Sequence, residues 1–371
     1  MNIQPISQQN FKGYDARPLK GFMMSSNCRG IADEMSAIGK REGFKIFAAF
    51  NPKMGGAGEF LPPYSKTTEN LWAQDVWMMV KNKLMALECD IRSNSIKDFF
   101  KLKYDFTEQV ARNTDEFKSI NTRLWELLGC VDESPEIMKE YQEKQVQLRQ
   151  IQDKAHIPGG NIFLVKNGNK NDVLVGDYEL QIYSPDEIGG MYCTDKVIPL
   201  PQMDYHTDLF IRPLDKKRIL LADDDLTYKI LKDNSSPIAE AFKDVVRKNR
   251  LPQANDVAEV LKRNGYKVIR VPGRIYSPGV MEDGKTYLRH HCNYMNANVL
   301  KNPNGDLVYI TNKSNVNKLA GFDFEKAFID TLAPFIKKEK VYFIEGEDNF
   351  VANEMLKDYQ GGIHCTCMEV L

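Results

Sequence analysis

The sequence predicts an α/β fold in which one unit recurs around a closed array of repeats. Three observations predict it. A strand or hairpin, an amphipathic helix and a short strand follow one another repeatedly. The paired apolar runs are joined by turn formers such as Asn167-Gly168-Asn169 and Asn302-Pro303-Asn304-Gly305. Each unit opens beside a glycine pair or a polar cluster, at about Trp72, Gly159, His206, Tyr294 and Gly361. Units of this kind bury their faces against neighbours, so several of them imply an array. The alternative is an ordinary alternating α/β sheet.

The first copy begins at Arg17, with a helix over about Arg29 to Glu42 and a strand from Lys45 to Phe50. A strand over Trp72 to Val80 opens the next. The segment from Gly159 to Val165 turns and returns through Val173-Leu174-Val175. The copy opening at His206 returns through Arg218 to Ala222, with helices at about Pro237 to Lys248 and Asn255 to Asn264 and a strand from Lys267 to Val271. A hairpin from Tyr294 to Ile310 follows, with a helix from Phe324 to Lys337 and a strand from Val341 to Ile344. The Gly361 segment is expected to run into a strand that opens the last hairpin. Residues 95–153 break the rhythm and read as a helical insertion within a single catalytic domain spanning 1–371. Its first helix carries Phe117, Ile120, Leu124, Leu127 and Leu128, and Ser134 and Pro135 start its second.

Composition narrows the function. Apolar residues make up 42% and charged residues 27%, as expected of a soluble globular protein. The net charge is -1 with no basic block, which argues against nucleic acid as a partner. No run of eighteen apolar residues and no charged leader with an apolar run are present, so neither a membrane span nor a cleavable signal is expected. Seven scattered cysteines are not a disulfide framework, and a reducing cytoplasm is the simplest setting.

Four residues suggest one chemistry. Asp75 and Asp208 offer two carboxylates, which suit the forked N–H donors of a guanidinium. Cys365, after Gly361-Gly362, is a nucleophile for the carbon of that group. His206 can protonate a departing amine and then activate water. Trp72, Asn161 and Asn296 are further candidates for binding the substrate. His364 is expected to be structural, because adjacent residues of a strand face opposite ways, and Cys367 to be a packed thiol. Arg289-His290-His291-Cys292 lacks the ligand spacing of a metal site. Asp223-Asp224-Asp225 lacks the pattern of a calcium loop and reads as a solvated turn. Met54-Gly55-Gly56-Ala57-Gly58 lacks the lysine and hydroxyl of a phosphate loop and reads as a loop that could cover the pocket. No metal or other cofactor is expected.

The His206-x-Asp208 pair, the Gly-Gly-x-His-Cys run ending at Cys365 and the five-unit layout resemble the guanidino-modifying enzymes of the pentein superfamily. The resemblance runs from about residue 17 to the end, apart from the helical insertion. It implies a five-bladed pseudo-symmetric α/β propeller with a central site. It also implies hydrolysis through a covalent thiouronium intermediate on Cys365. Trp72-Ala73-Gln74-Asp75 is similar to the Trp-x-Gln-Asp of protein-arginine deiminases, and Pro158 stands where many small-substrate members carry glutamate. The Gly361 to Cys365 run is as much like the agmatine enzymes. In the animal protein-arginine enzymes calcium ligands follow the first Asp, whereas Val76 and Met78 stand there in this chain. The expectation is therefore a calcium-independent deiminase, with peptidyl-arginine favoured over agmatine or free arginine. An amidinotransferase and a non-catalytic pentein that binds a partner are the alternatives, and a homo-oligomer is left open.

Overall fold

In the computed structural model the strands fall into small, separate sheets, and five of these share one build. The structure describes residues 21–24, 29–48, 77–80, 83–86, 105–108, 115–128, 134–153, 157, 159–167, 170–192, 194, 196–248, 254–280, 286–314, 316, 318–319, 322–346 and 361–370. Each of the five sheets has an antiparallel pair and a third strand parallel to the middle one. An antiparallel pair needs only a tight turn, whereas a parallel neighbour needs a crossover, which a helix supplies.

In chain order, Trp77–Val80 pairs with Lys83–Ala86, which takes Asp105–Glu108 in parallel. Ile162–Asn167 pairs with Lys170–Gly176, and Lys196–Leu200 returns after the helix Pro185–Tyr192. Ile211–Pro213 pairs with Arg218–Ala222, and Lys267–Val271 returns after Asp224–Ile230, Pro237–Lys248 and Ala254–Arg263. Asn298–Lys301 pairs with Leu307–Asn312, and Val341–Ile344 returns after Phe324–Leu332.

The fifth sheet joins the two ends of the described chain. Cys367–Val370 lies antiparallel to Gly21–Met24, with Cys367 opposite Met24 and Val370 opposite Gly21. Lys45–Ala48 completes it in parallel after the helix Arg29–Glu42. The Arg17 copy and the Gly361 segment, expected as separate units, are thus one unit. Adjacency in sequence could not reveal this pairing. The strand also starts later than expected: residues 363–366 form a turn, and strand begins at Cys367.

Side-chain alternation explains why neighbours pack. Phe163, Val165 and Leu174 enter a core shared with Phe210, Leu220, Tyr294 and Phe324. Ile162, Val173 and Val175, on the other face, enter a second cluster with Ile157, Ile188 and Tyr192. This sheet is buried on both sides, so its sequence is a continuous apolar run rather than an alternating one. The fifth unit packs Phe22, Ile31, Phe44 and Ile363 against Leu300, Val308 and Ile310 of the fourth.

Other elements lie outside this rhythm. Arg274–Val280 pairs with Thr286–Asn293 as a separate ribbon that carries Arg289 to Cys292. The helices Asp115–Leu128 and Pro135–Asp153 are joined by Arg123, whose Nε donates to Glu140 at 2.8 Å. Ser134 caps the second helix, accepting from the Ile137 N–H at 3.2 Å. The helical segment begins later than residue 95, because Asp105–Glu108 is a strand of the first sheet. Among the described residues no helix is long and apolar enough to cross a membrane.

Candidate active site

Two loops meet in a buried polar cluster. The first carries His206, Thr207 and Asp208. His206 is extended, and Thr207–Leu209 forms a single tight turn after it. Thr207 is fastened at both ends: its N–H donates to Asn161 Oδ1 at 3.1 Å and its hydroxyl to the Gly160 carbonyl at 3.0 Å. His206 and Asp208 then converge over Gly160. A Cβ there would lie 2.5 Å from His206 Nδ1 and 3.2 Å from Asp208 Oδ1, so glycine is what lets the His206 loop pack on the Gly159–Asn161 turn. Asn161 directs its amide at this scaffold, donating to Glu179 Oε1 at 2.6 Å and accepting from Gln202 Nε2 at 3.0 Å. It braces the His206 loop.

The second loop carries Cys365. Thr366 N–H donates to the Gly362 carbonyl and Cys367 N–H to the His364 carbonyl, each at 3.1 Å, which makes residues 362–367 a compact turn. Two asparagines of the fourth unit hold it. Asn312 Oδ1 accepts from Ile363 N–H at 2.9 Å, and Asn296 Oδ1 accepts from His364 N–H at 2.8 Å. A Cβ on Gly362 would lie 2.6 Å from Asn312 Oδ1 and 2.8 Å from Asn296 Oδ1, which explains the second glycine of the pair.

These loops bring Cys365 to Asp208. The thiol donates to Asp208 Oδ2 at 3.3 Å, and Asn296 Nδ2 donates to both Cys365 Sγ, at 3.0 Å, and Asp208 Oδ2, at 2.9 Å. His364 Nδ1 reaches the same carboxylate oxygen at 2.7 Å. The expectation that His364 faces away from Cys365 fails because a turn, unlike a strand, lets successive side chains reach one point. Asp208 is fully buried, Cys365 is 6% exposed and His206 is 8% exposed.

Electrostatics separates the thiols. Burial pushes Cys292 and Cys367 up to about 12, so neither forms a thiolate near neutral pH. The Cys365 thiol is set apart by its contacts, the Asp208 carboxylate and the Asn296 amide donor. Burial, then the positive charge of Arg212, holds His364 well below the ordinary imidazole range. It is a neutral donor toward Asp208. The His206 ring lies under Tyr205, with centroids 4.1 Å apart. Asp75 and Trp72 lie outside the described residues, as do Pro158 and the glycine-rich loop at residues 54–58.

A buried charge network lies behind the His206 loop. Asp204 accepts from Tyr205 N–H at 2.8 Å and from Arg274 Nη1 at 2.6 Å, and His290 Nε2 lies 3.0 Å from it. Burial would raise Asp204, but His290 and Arg274 outweigh it and hold the carboxyl low. Arg274 also forks onto Asp224 at 2.8 and 2.6 Å, and Tyr276 donates to Asp224 at 2.9 Å. The acidic run is therefore not a solvated turn throughout. Asp223 caps the helix Asp224–Ile230, accepting from Leu226 N–H, and Asp224 forms a buried ion pair. Charge runs read as surface when the matching cation is fifty residues away, and Arg274 gave no local signal. Among the described residues no group of three acidic, histidine or cysteine side chains could hold a metal ion. Sequence reasoning also missed Asn312 and Glu179, although the density of asparagines from Asn293 to Asn298 was a visible hint.

No protein-family model matches the chain, and no curated protein does. Solved structures do. The agmatine deiminase of C. Jejuni with substrate bound, a cysteine-to-serine variant, covers 100% of this chain and 98% of its own at 11% identity, with a TM-score of 0.55. A second structure of the C. Jejuni agmatine deiminase covers 99% and 98% at 13% identity, with a TM-score of 0.53. The inosamine-phosphate amidinotransferase of Streptomyces griseus covers 98% and 97% at 10% identity, with a TM-score of 0.43. Identities this low speak to the fold alone, and the two agmatine deiminase structures show that the chain shares their fold, the pentein fold.

Proposed function

We propose that the protein is a cysteine-dependent deiminase that hydrolyses the guanidinium of an arginine-type substrate to a ureido product and ammonia. The observation that carries the reading is the contact of the Cys365 thiol with Asp208 and Asn296 in a buried polar cluster that includes the His206 loop. A buried carboxylate that already accepts several donors is matched to a planar cation. On this reading the five like-built sheets are the blades of a propeller with the site at its centre.

In the proposed reaction Asp208, with Asp75, holds the guanidinium by its N–H groups. The Cys365 proton passes to His206, and the thiolate attacks the central carbon, forming a C–S bond. The adduct collapses as His206 returns a proton to the departing nitrogen. Ammonia leaves and a thiouronium remains. Water then gives a proton to His206 and its oxygen to the carbon. The C–S bond breaks as the hydroxyl proton leaves to solvent, where ammonia takes it up as ammonium, and the released thiolate recovers its proton from His206, leaving the ureido product and the starting thiol. Asn296 Nδ2 supports the thiolate in both steps, at the 3.0 Å already present.

Trp72 to Asp75 and the non-acidic Pro158 favour peptidyl-arginine as substrate. Agmatine is the second reading, supported by the likeness to a substrate-bound agmatine deiminase. Incubating the purified protein with peptidyl-arginine, free arginine and agmatine, with assay of ureido groups, separates these readings. Absence of turnover with every guanidine, in a folded protein, refutes the deiminase.

A further inference from the structure

His364 has no part in the reaction above, yet it approaches the buried carboxylate more closely than Asn296 or the thiol does. Its Nδ1 lies 2.7 Å from Asp208 Oδ2, closer than Asn296 Nδ2 at 2.9 Å or the thiol at 3.3 Å. The ring is 1% exposed and stacks on Phe163, with centroids 5.6 Å apart. Phe163 in turn lies against the Arg212 guanidinium, 4.7 Å from the ring centroid. The His364 backbone is fixed as well, because its N–H donates to Asn296 Oδ1. The imidazole is thus packed in one orientation, with its δ nitrogen aimed at one carboxylate oxygen.

We infer that His364 is a positioning residue that, as a neutral Nδ1–H donor, locks the Asp208 carboxylate in the orientation that receives a planar cation next to Cys365. The inference rests on the guanidinium reading of the site. The electrostatics agree, since burial and the nearby Arg212 guanidinium keep the ring uncharged. A neutral donor steadies the carboxylate without cancelling the charge that attracts the substrate. A protonated ring would form an ion pair with Asp208 and compete with the guanidinium. Placing this donor on the residue before the nucleophile ties carboxylate and sulfur to one turn, so their spacing survives motion between the units.

The test uses two alkylating probes of equal size, cationic 2-chloroacetamidine and neutral 2-chloroacetamide. Their rates of reaction at Cys365 are measured by mass spectrometry on the intact protein. The ratio of the two rates reports recognition of a planar cation and does not require the substrate to be known. In His364→Asn the side-chain amide sits at the δ position and keeps the donor. In His364→Gln the amide lies one bond further out, and in His364→Phe the stacking on Phe163 is kept without any donor.

The amidine-to-amide ratio should fall about tenfold or more in the Gln and Phe variants, as loss of a charge-assisted hydrogen bond predicts. It should stay within about threefold of the parent in the Asn variant. Equal ratios in the Asn and Gln variants overturn the inference, even if the Phe variant fails to fold. A ratio unchanged in the Phe variant overturns it too. A parent protein without amidine preference refutes the guanidinium reading itself, a failure separate from the loss of an Asn–Gln difference.

Discussion

Replacing Gly160 by alanine tests whether the packing of the His206 loop on the Gly159–Asn161 turn controls the chemistry. The new Cβ would lie 2.5 Å from His206 Nδ1 and 3.2 Å from Asp208 Oδ1, whereas ordinary contact begins at 3.4 Å. The imidazole must therefore retreat by roughly 0.9 Å. It cannot do so freely, because Tyr205 stacks on it and Thr207, its neighbour, is bound at both N–H and hydroxyl. A misplacement of about 1 Å costs on the order of a hundredfold in rate, or about 2.7 kcal/mol in the barrier. The stability cost of such overpacking is about 1–3 kcal/mol, small enough to leave the protein folded. Gly190→Ala is the matched control: it lies in the helix Pro185–Tyr192 with nothing within 4 Å of a new Cβ. There alanine should stabilise by about 0.5–1 kcal/mol and leave the rate unchanged. Both variants are assayed for ureido formation from the best guanidine and for thermal unfolding. If Gly160→Ala retains kcat/KM within about threefold of the parent, the convergence of His206 and Asp208 over Gly160 does not govern the reaction.

Three further outcomes are expected. Cys365→Ser should abolish turnover while guanidine binding persists, whereas Cys367→Ser, in the core of the fifth unit, should retain activity; the reverse result would reassign the nucleophile. Arg274→Met leaves the carboxylates of Asp204 and Asp224 buried without their shared cation, so it should cost about 3–5 kcal/mol in denaturant unfolding. A loss below about 1 kcal/mol would show that these groups protonate or hydrate at little cost. Burial raises the Glu179 carboxyl above its usual 4.5, only partly countered by Asn161. Its favourable contribution is present below that value and is lost as pH rises toward the folded-state pKa. Glu179→Gln keeps an acceptor for Asn161 and removes the buried charge, so its melting temperature should match the parent in acid and exceed it near neutral pH. A lower value at both would refute this account.

The sequence by itself determined the recurring unit, most strand and helix positions, and the polar residues of both loops. Period and turn chemistry are local, so Ile162–Asn167 with Lys170–Gly176 and the cap at Ser134 could be read directly. It also supplied Cys365, His206, Asp208, Asn161 and Asn296 as candidates, because their chemistry is written in residue type. Tertiary structure decided what long-range pairing controls. Cys367–Val370 finds its partner in Gly21–Met24, at the other end of the chain. Asp224 finds its cation in Arg274, and Asn161 spends its amide on Glu179 and the His206 loop. The role of His364 turned on whether residues 363–366 were strand or turn. Alternation along the chain predicted one answer, but backbone hydrogen bonds from Thr366 and Cys367, with Asn296 and Asn312 arriving from another unit, impose the other. Apolar periodicity records which face is buried; it does not record which distant polar group will bend the backbone to satisfy its own hydrogen bonds.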